Sequence, residues 1–341
     1  MATRKLTLKF VADELGVSTA TISNAFNRPD QLSEKKRLEI LEACKQLGYH
    51  GPNKAAQILR KGQSNIVALV LADSLEYIVS DPVASTFIKG VSGVLQSRHK
   101  NVLLFAGDSR SIQDVADFVD GFICYGAPQN DHLSTELRQH AKPVVTVDFN
   151  LDGRPSVNIN NEEGAYQIAK SALKPSDNVA ILGLRLIDSP TTCRVYDSPL
   201  LDAARSISHR RLDGYQRAIA ETGIALNNDL IWHIPESQSR YARQAAKEVL
   251  NSSPRPDVIL CMSDIIALEV LSMAVESGID VPGELRITGF DGIDEAARTR
   301  PVLSTVCQSS EEKGRQAALM LLDEQTAPVE LPFDIKTGGT T

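Results

Sequence analysis

Cysteine is scarce in this chain and never paired in sequence. Cys44, Cys124, Cys193, Cys261 and Cys307 are odd in number, far apart and free of CxxC spacing. They indicate neither a disulfide framework nor a zinc site, and most lie in apolar runs that read as core. No apolar stretch approaches the roughly 18 residues of a membrane span, and the opening MATRKLTLKF lacks a signal-peptide apolar region. A soluble, cytoplasmic protein is therefore expected. Catalytic signatures are missing too. There is no strand-linked GxGxxG, P-loop, GxSxG elbow or HExxH, and the six histidines form no catalytic or metal set. No enzymatic chemistry, cofactor or metal is indicated.

A chain of 341 residues has room for two or three domains. Its net charge of −7 argues, on its face, against a nucleic-acid partner. The distribution argues otherwise. Residues 1–62 hold 11 Lys and Arg against 6 Asp and Glu, a net of +5, and the remainder carries a net of −12. A basic head can meet phosphates locally, while an acidic body stays soluble and is repelled by DNA.

Residues 7–26, TLKFVADELGVSTATISNAF, fit two short helices joined by a tight turn. Thr7 is placed to cap the first helix, with Val11 and Leu15 on one face. Gly16 breaks that helix, Val17 anchors the turn, and Ser18 caps a second helix with Ile22, Ala25 and Phe26 inward. Thr19, Ala20, Ser23 and Asn24 then face outward, the pattern of a helix-turn-helix whose second helix enters the DNA major groove. Ser33 is placed to cap a third helix carrying Ile40, Leu41, Cys44 and Leu47. The AAQILR helix after Gly51 and Pro52 is too short to be stable alone in water, so it is expected to fold only when held.

From Asn65 onward, apolar strands alternate with amphipathic helices. Strand candidates are 66–71, 102–106, 121–125, 143–148, 178–183, 257–262 and 285–291; helix candidates include 162–173, 210–222, 239–250 and 264–277. Continuous apolar strands joined by helical crossovers imply parallel sheets covered on both faces, and their number implies two α/β subdomains.

The ordered series VADELGVSTATISNAFN, LGYHGPN, KAAQILRKGQSN, VDGF (119–122), RRLDGYQRAI, SDIIALEVLSMAVESGIDVPGEL, ITGFDGID and LSTVCQ resembles the LacI/GalR family of bacterial transcriptional repressors over essentially the whole chain. The resemblance implies an α + α/β architecture. A helix-turn-helix headpiece spans 1–51, a hinge helix and linker 52–64, and a two-lobed domain like the periplasmic sugar-binding proteins 65–341. Lobe 1 would take about 65–158 and 309–330, and lobe 2 about 161–306 and 331–341, with three chain crossings. It also implies a homodimer or a higher oligomer on a pseudo-palindromic double-stranded operator. A small-molecule effector (sugar, polyol or nucleoside-like) would bind between the lobes. The rival readings are a cytosolic binding protein or an enzyme of sugar metabolism on the same two-lobed fold.

On this resemblance Thr19, Ala20 and Asn24 read base edges, with Ser18 and Ser23 at phosphates or caps and Thr7 and Leu8 completing the set. Asn pairs bidentately with adenine, Thr bonds or packs on a thymine methyl, and Ala offers apolar contact only. Many relatives carry Arg at the position of Asn24, which is otherwise a solvated helix position. The family's hinge helices enter the minor groove and wedge a Leu between base pairs; the matching residue is Leu59, flanked by Ala55, Ala56 and Gln57, with Asn53, Lys54 and Arg60 for phosphates. Unstacking a base step costs about a few kcal/mol, recovered in added contact. Gly51 is an extra residue between GYH and PN.

A polyol site needs converging carboxylates, an Arg and an amide or hydroxyl, because hydroxyls both donate and accept. Arg211 and Asp291 match the family's sugar-contacting Arg and hydroxyl-binding Asp, and Asp148 ends another strand, where α/β folds bind ligands. Ser263 and Asp264 replace the usual Asn-Asp pair, although Asp264 could equally cap a helix. Ile159 and Gln308 fall near lobe crossovers, to sense closure or to pack. Two departures stand out. SDPVAS (80–85) replaces an aromatic Asn-Pro-Phe-Phe platform, and 184–210 is longer than the usual connection. That insertion carries Arg185, Asp188, Arg194, Tyr196 and Asp197, and is expected either to add to the pocket or to extend into solvent.

Overall fold

Thr7 and Ser18 each precede a helix in extended conformation and accept a hydrogen bond three residues on, from the backbone N–H of Phe10 at 3.2 Å and of Thr21 at 3.0 Å. These caps satisfy donors that a helix start leaves orphaned. They open α1 (Leu8–Glu14) and α2 (Thr19–Asn27), separated by Gly16 at φ +61°, a left-handed turn that glycine adopts without strain. Ser33 stands at the start of α3 (Glu34–Gln46) as expected, but its hydroxyl makes no capping bond. Val11, Ala12, Ile22, Ala25, Ile40 and Cys44 are buried together, and Arg37 on α3 donates its Nε–H to the carbonyl of Ala25 at 3.0 Å.

The computed structural model describes residues 6–51, 63–107, 111–128, 130–201 and 206–341. They fall into two units, within 1–64 and 65–341. The second unit contains two sheets. Their strands are β1 (Ile66–Leu71), β2 (Asn101–Ala106), β3 (Gly121–Tyr125), β4 (Val144–Val147), β5 (Ser156–Ile159), β6 (Val179–Leu184), β7 (Cys193–Arg194), β8 (Ile231–Ile234), β9 (Val258–Cys261), β10 (Arg286–Asp291), β11 (Ser304–Cys307), β12 (Val329–Leu331) and β13 (Asp334–Lys336). The first sheet runs β12-β5-β4-β3-β1-β2 and is parallel throughout. The second runs β13-β11-β10-β9-β6-β8-β7, with only its two edge strands antiparallel. Because β5 and β12 belong to the first sheet and β6, β11 and β13 to the second, the chain passes between the sheets three times.

All seven strand candidates form, with ends shifted by a residue at most. The others, β5, β7, β8 and β11 to β13, are two to four residues long, too short to show a period of their own. Aliphatic residues of β1, β3 and β4 pack beneath the helices Pro82–Ser97 and Ser310–Leu322. In the second sheet, helices Asn161–Ala172 and Ile207–Glu221 cover one face, and Ser239–Leu250 and Asp264–Glu276 the other. The carboxyl ends of both sheets are left facing one cavity.

Candidate functional site

In the first unit, Thr19 and Ala20 are exposed at the start of α2, and Ser23 and Asn24 are half-buried on the next turn. The Ser18 hydroxyl caps α2 and also meets the Thr21 hydroxyl at 2.8 Å. The Ser23 carbonyl accepts from the Asn27 amide at 3.0 Å. Thr7 is exposed, whereas Leu8 packs partly against the hydrophobic core. The hinge candidates Asn53, Lys54, Ala56, Gln57, Leu59 and Arg60 lie outside the described residues.

The second unit holds a cavity of about 840 Å3 at the carboxyl ends of the strands. Asp148 leaves β4 at φ +66° and Asp291 ends β10 at φ +129°. Backbone conformations of this kind cost of order 1–3 kcal/mol in a non-glycine residue and persist where surrounding structure imposes them. Here they carry two carboxylates to the cavity wall.

Arg211, in the second turn of Ile207–Glu221, is buried and shared among several acceptors. Its Nε–H donates to Asn161 Oδ1 at 2.9 Å, and its Nη1 to the Met262 carbonyl at 2.5 Å and to Asp291 Oδ1 at 3.4 Å. The guanidinium lies 3.6 Å from the centre of the Phe290 ring. Its Nη2 is buried without a hydrogen-bond partner among the described residues. Asp291 also accepts from the Gln308 amide at 2.7 Å, and Gln308 Oε1 accepts from Lys313 Nζ at 2.7 Å. Lys313 in turn pairs with Asp148 at 2.6 Å, with both side chains almost fully buried. A continuous chain Arg211–Asp291–Gln308–Lys313–Asp148 thus joins the ends of β10 and β4. Burial pushes the Asp291 carboxyl well above the usual carboxylate range, Arg211 opposing it, and pushes the Lys313 ammonium below its ordinary value.

The structure brings Asp148, Arg211, Asp291 and Gln308 together on the cavity wall, and leaves Ile159, Ser263 and Asp264 off it. Ile159 is buried in the core at the end of β5, paired with Leu331. Ser263 caps the helix Asp264–Glu276 and meets the hydroxyl of cavity-lining Ser237 at 2.8 Å. Asp264 is fully buried. It accepts from the N–H groups of Gly292 and Ile293 at 2.7 and 2.9 Å and from the Thr305 hydroxyl at 2.5 Å. It therefore braces the turn that follows Asp291, and burial pushes its carboxyl up to about 6.

Sequence reasoning missed Lys313, which sits on a helix and carries no local mark of burial. It also missed the aromatic lining. Although SDPVAS supplies no aromatic side chain, Tyr77, Tyr125 and Tyr241 line the cavity, and Tyr125 stacks on Phe87 with centroids 4.3 Å apart. Asp81 from SDPVAS caps the helix Pro82–Ser97, and burial pushes its carboxyl up to about 6. The insertion divides. Arg185 and Asp188 line the cavity, and Arg185 reaches Asp73 at 2.5 Å. Arg194, in edge strand β7, lies over the Trp232 ring instead, and Tyr196 and Asp197 are exposed away from the cavity.

Among the described residues, six carboxylates line the cavity (Asp73, Asp81, Asp148, Asp188, Glu236 and Asp291) against two guanidiniums, Arg185 and Arg211. No group of His, Cys, Asp and Glu that could hold a metal occurs among the described residues. No helix among them is long and apolar enough to cross a membrane.

Residues 7–53 match the model of bacterial regulatory proteins, lacI family, and residues 199–335 that of a periplasmic binding protein-like domain. An HTH-type transcriptional regulator of Mycobacterium tuberculosis is 34% identical over 328 residues, covering 94% of this chain and 91% of its own length. A LacI-family transcriptional regulator from Corynebacterium glutamicum, solved as a crystal structure, matches with TM-score 0.69 and 26% identity over 99% of both chains. The lac repressor dimer bound to operator and the anti-inducer ONPF shares the fold, with TM-score 0.72 at 20% identity over 99% of both chains. With a capped helix-turn-helix at its start and a polar cavity between two largely parallel sheets, this chain belongs to the LacI family of bacterial regulatory proteins and is a DNA-binding transcriptional regulator rather than an enzyme.

Proposed function

We propose that this regulator acts as a cytoplasmic dimeric repressor on a pseudo-palindromic operator and responds to a neutral, polyhydroxylated effector in the cavity. On the DNA side, α2 lies in the major groove with Thr19, Ala20 and Asn24 at base edges and Thr7, Leu8, Ser18 and Ser23 near the backbone. The exposure of Thr19 and Ala20 on a helix anchored from behind by Ile22 and Ala25 supports this placement. The segment with Asn53, Lys54, Ala56, Gln57, Leu59 and Arg60 serves as the minor-groove hinge, with Leu59 as the wedge. The headpiece over 1–51, the linker over 52–64 and the lobes set out above are the working division of the chain.

On the effector side, the observation that carries the reading is Arg211. Among the described residues its Nη2 donor is buried and unpartnered beside Asp291, at the wall of a cavity where carboxylates outnumber guanidiniums. An unpaired buried donor costs about 1–3 kcal/mol, which a ligand oxygen would relieve. A hydroxyl satisfies both neighbours at once, accepting from Arg211 and donating to a carboxylate. A phosphate or carboxylate ligand would meet the excess negative charge. Tyr77, Tyr125 and Tyr241 offer apolar faces to a sugar ring or base.

A thermal-shift screen of the purified chain against neutral sugars, polyols and nucleosides, with their phosphate esters alongside, tests this. Stabilisation is expected from a neutral compound and not from its phosphate ester. A phosphate ester that stabilises more strongly than its parent, or turnover of any compound, overturns the reading. Gel-shift titration with the retained compound then reads the coupling to operator, expected at about 1–3 kcal/mol.

A further inference from the structure

The 185–190 segment that follows β6 forms one wall of the cavity, with Arg185, Ile187, Asp188, Ser189 and Pro190 on its lining. It belongs to no helix or strand, so its backbone groups must find partners elsewhere. Room for it comes from Gly183 on β6, directly opposite His233 on β8. A Cβ at Gly183 would collide with Leu186, which folds back over that position.

His233 is fully buried and supplies three of the missing partners. Its Nδ1 accepts from the N–H of Leu186 at 3.1 Å and of Ile187 at 3.3 Å, while Nε2 lies 2.9 Å from the Ser189 carbonyl. Two N–H donors on Nδ1 and a carbonyl on Nε2 are compatible with one protonation state only, the neutral imidazole with its proton on Nε2. A second proton would sit on Nδ1 and face two N–H groups, turning two attractive contacts into repulsive ones.

We infer that His233 is a positioning residue for the cavity: as the neutral Nε2–H tautomer it clamps the 186–189 wall in place, and its protonation releases that wall. The relevance to effector binding rests on the cavity reading above; the clamp itself does not. Electrostatics agrees with the geometry. Burial holds the imidazole below its ordinary range, aided by Arg185 and opposed by Asp188 and the Ser189 carbonyl. From the flanking strands, β7 presents Cys193 opposite it and β6 presents Gly183, which has no titratable group. The sign follows. The unfolded chain takes up the proton more readily, so the clamp is complete at neutral pH and lost on acidification below the ordinary imidazole range.

The test uses the full chain without effector. Hydrogen exchange is measured from pH 7.5 to 5.0 as protection factors, together with the 15N signature of the His233 ring. Protection of Leu186 and Ile187 is expected to fall at least tenfold more on acidification than that of Val179–Leu182 on the same sheet. H233N keeps an acceptor near the Nδ1 position but cannot titrate. It should stay within threefold of wild type at pH 7.5 and lose the acid-induced drop. H233F should lower protection of the two amides at least tenfold at both pH values, with Val179–Leu182 still protected. Wild-type protection in H233F, or a neutral ring protonated on Nδ1, overturns the inference. If H233F also exposes Val179–Leu182, the comparison of H233N with wild type decides, and an equal pH dependence in both overturns it. None of these readouts involves effector, so failure of the effector reading would appear separately, as an empty screen with an intact clamp.

Discussion

Replacing Lys313 with methionine should destabilise the second unit severely. Lys313 is 1% exposed and Asp148 4%, and they meet at 2.6 Å. Methionine fills much of the same volume, so the effect isolates the charge. Removing one member of a buried pair leaves the other charged and desolvated, which costs about 3–5 kcal/mol. Gln308 Oε1 loses its donor as well. Against a total stability of about 5–15 kcal/mol, such a loss is large. Urea unfolding followed by fluorescence provides the assay, since the chain has a single tryptophan, Trp232, buried on β8 in the other sheet from the helix bearing Lys313. The D148N/K313M double variant should recover a good part of the loss, because neither partner then carries an unpaired charge. A loss below about 1 kcal/mol for K313M, or a double variant equal to the sum of the singles, would refute this account of the chain between β4 and β10.

D81N keeps a capping oxygen but removes a carboxyl that burial pushes up to about 6. A raised carboxyl contributes stability below about pH 4 that is lost as pH rises through 6, so D81N should gain up to about 3 kcal/mol over wild type above pH 6 and nothing below pH 4; parallel pH–stability curves would contradict this. R211M should weaken effector binding at least tenfold by calorimetry, a charge-assisted hydrogen bond being worth about 1.5–3 kcal/mol; unchanged affinity would remove Arg211 from the site. N24A should cost about 1–3 kcal/mol on operator and relax selectivity at one base pair, with little change on nonspecific DNA; a uniform loss on both would assign Asn24 to the backbone. L59A should likewise reduce operator affinity more than nonspecific affinity, and equal losses would remove the wedge.

The insertion shows how a local departure can be absorbed by a sheet. Cys193 and Arg194 pair antiparallel with β8, and the Leu201 N–H returns to the Leu186 carbonyl at 2.9 Å. The added segment is thereby tied at both ends, and its first turn becomes cavity wall.

Features set by neighbours in the chain were legible from the amino-acid sequence alone. Thr7, Gly16 and Ser18 act on groups within four residues, so the helix-turn-helix was readable. The apolar runs of β1, β3, β6, β9 and β10 also declared themselves, since a strand buried on both faces needs no partner to reveal it. Asp148, Arg211 and Asp291 could be placed at the cavity because strand ends and a motif marked them, whereas Gln308 was marked only as lying near a lobe crossover. Tertiary structure decided the rest. Asp264 and Ser263 looked like ligand groups, but their carboxylate and hydroxyl are taken up by Gly292, Ile293, Thr305 and Ser237, partners 26 to 41 residues away. Lys313 lies 165 residues from Asp148, and His233 lies 46 and 47 from the amides it holds. A buried lysine on a helix and a histidine on a strand look like any others until folding desolvates them, because their partners and their charge state are properties of the packed sheets rather than of the residues beside them.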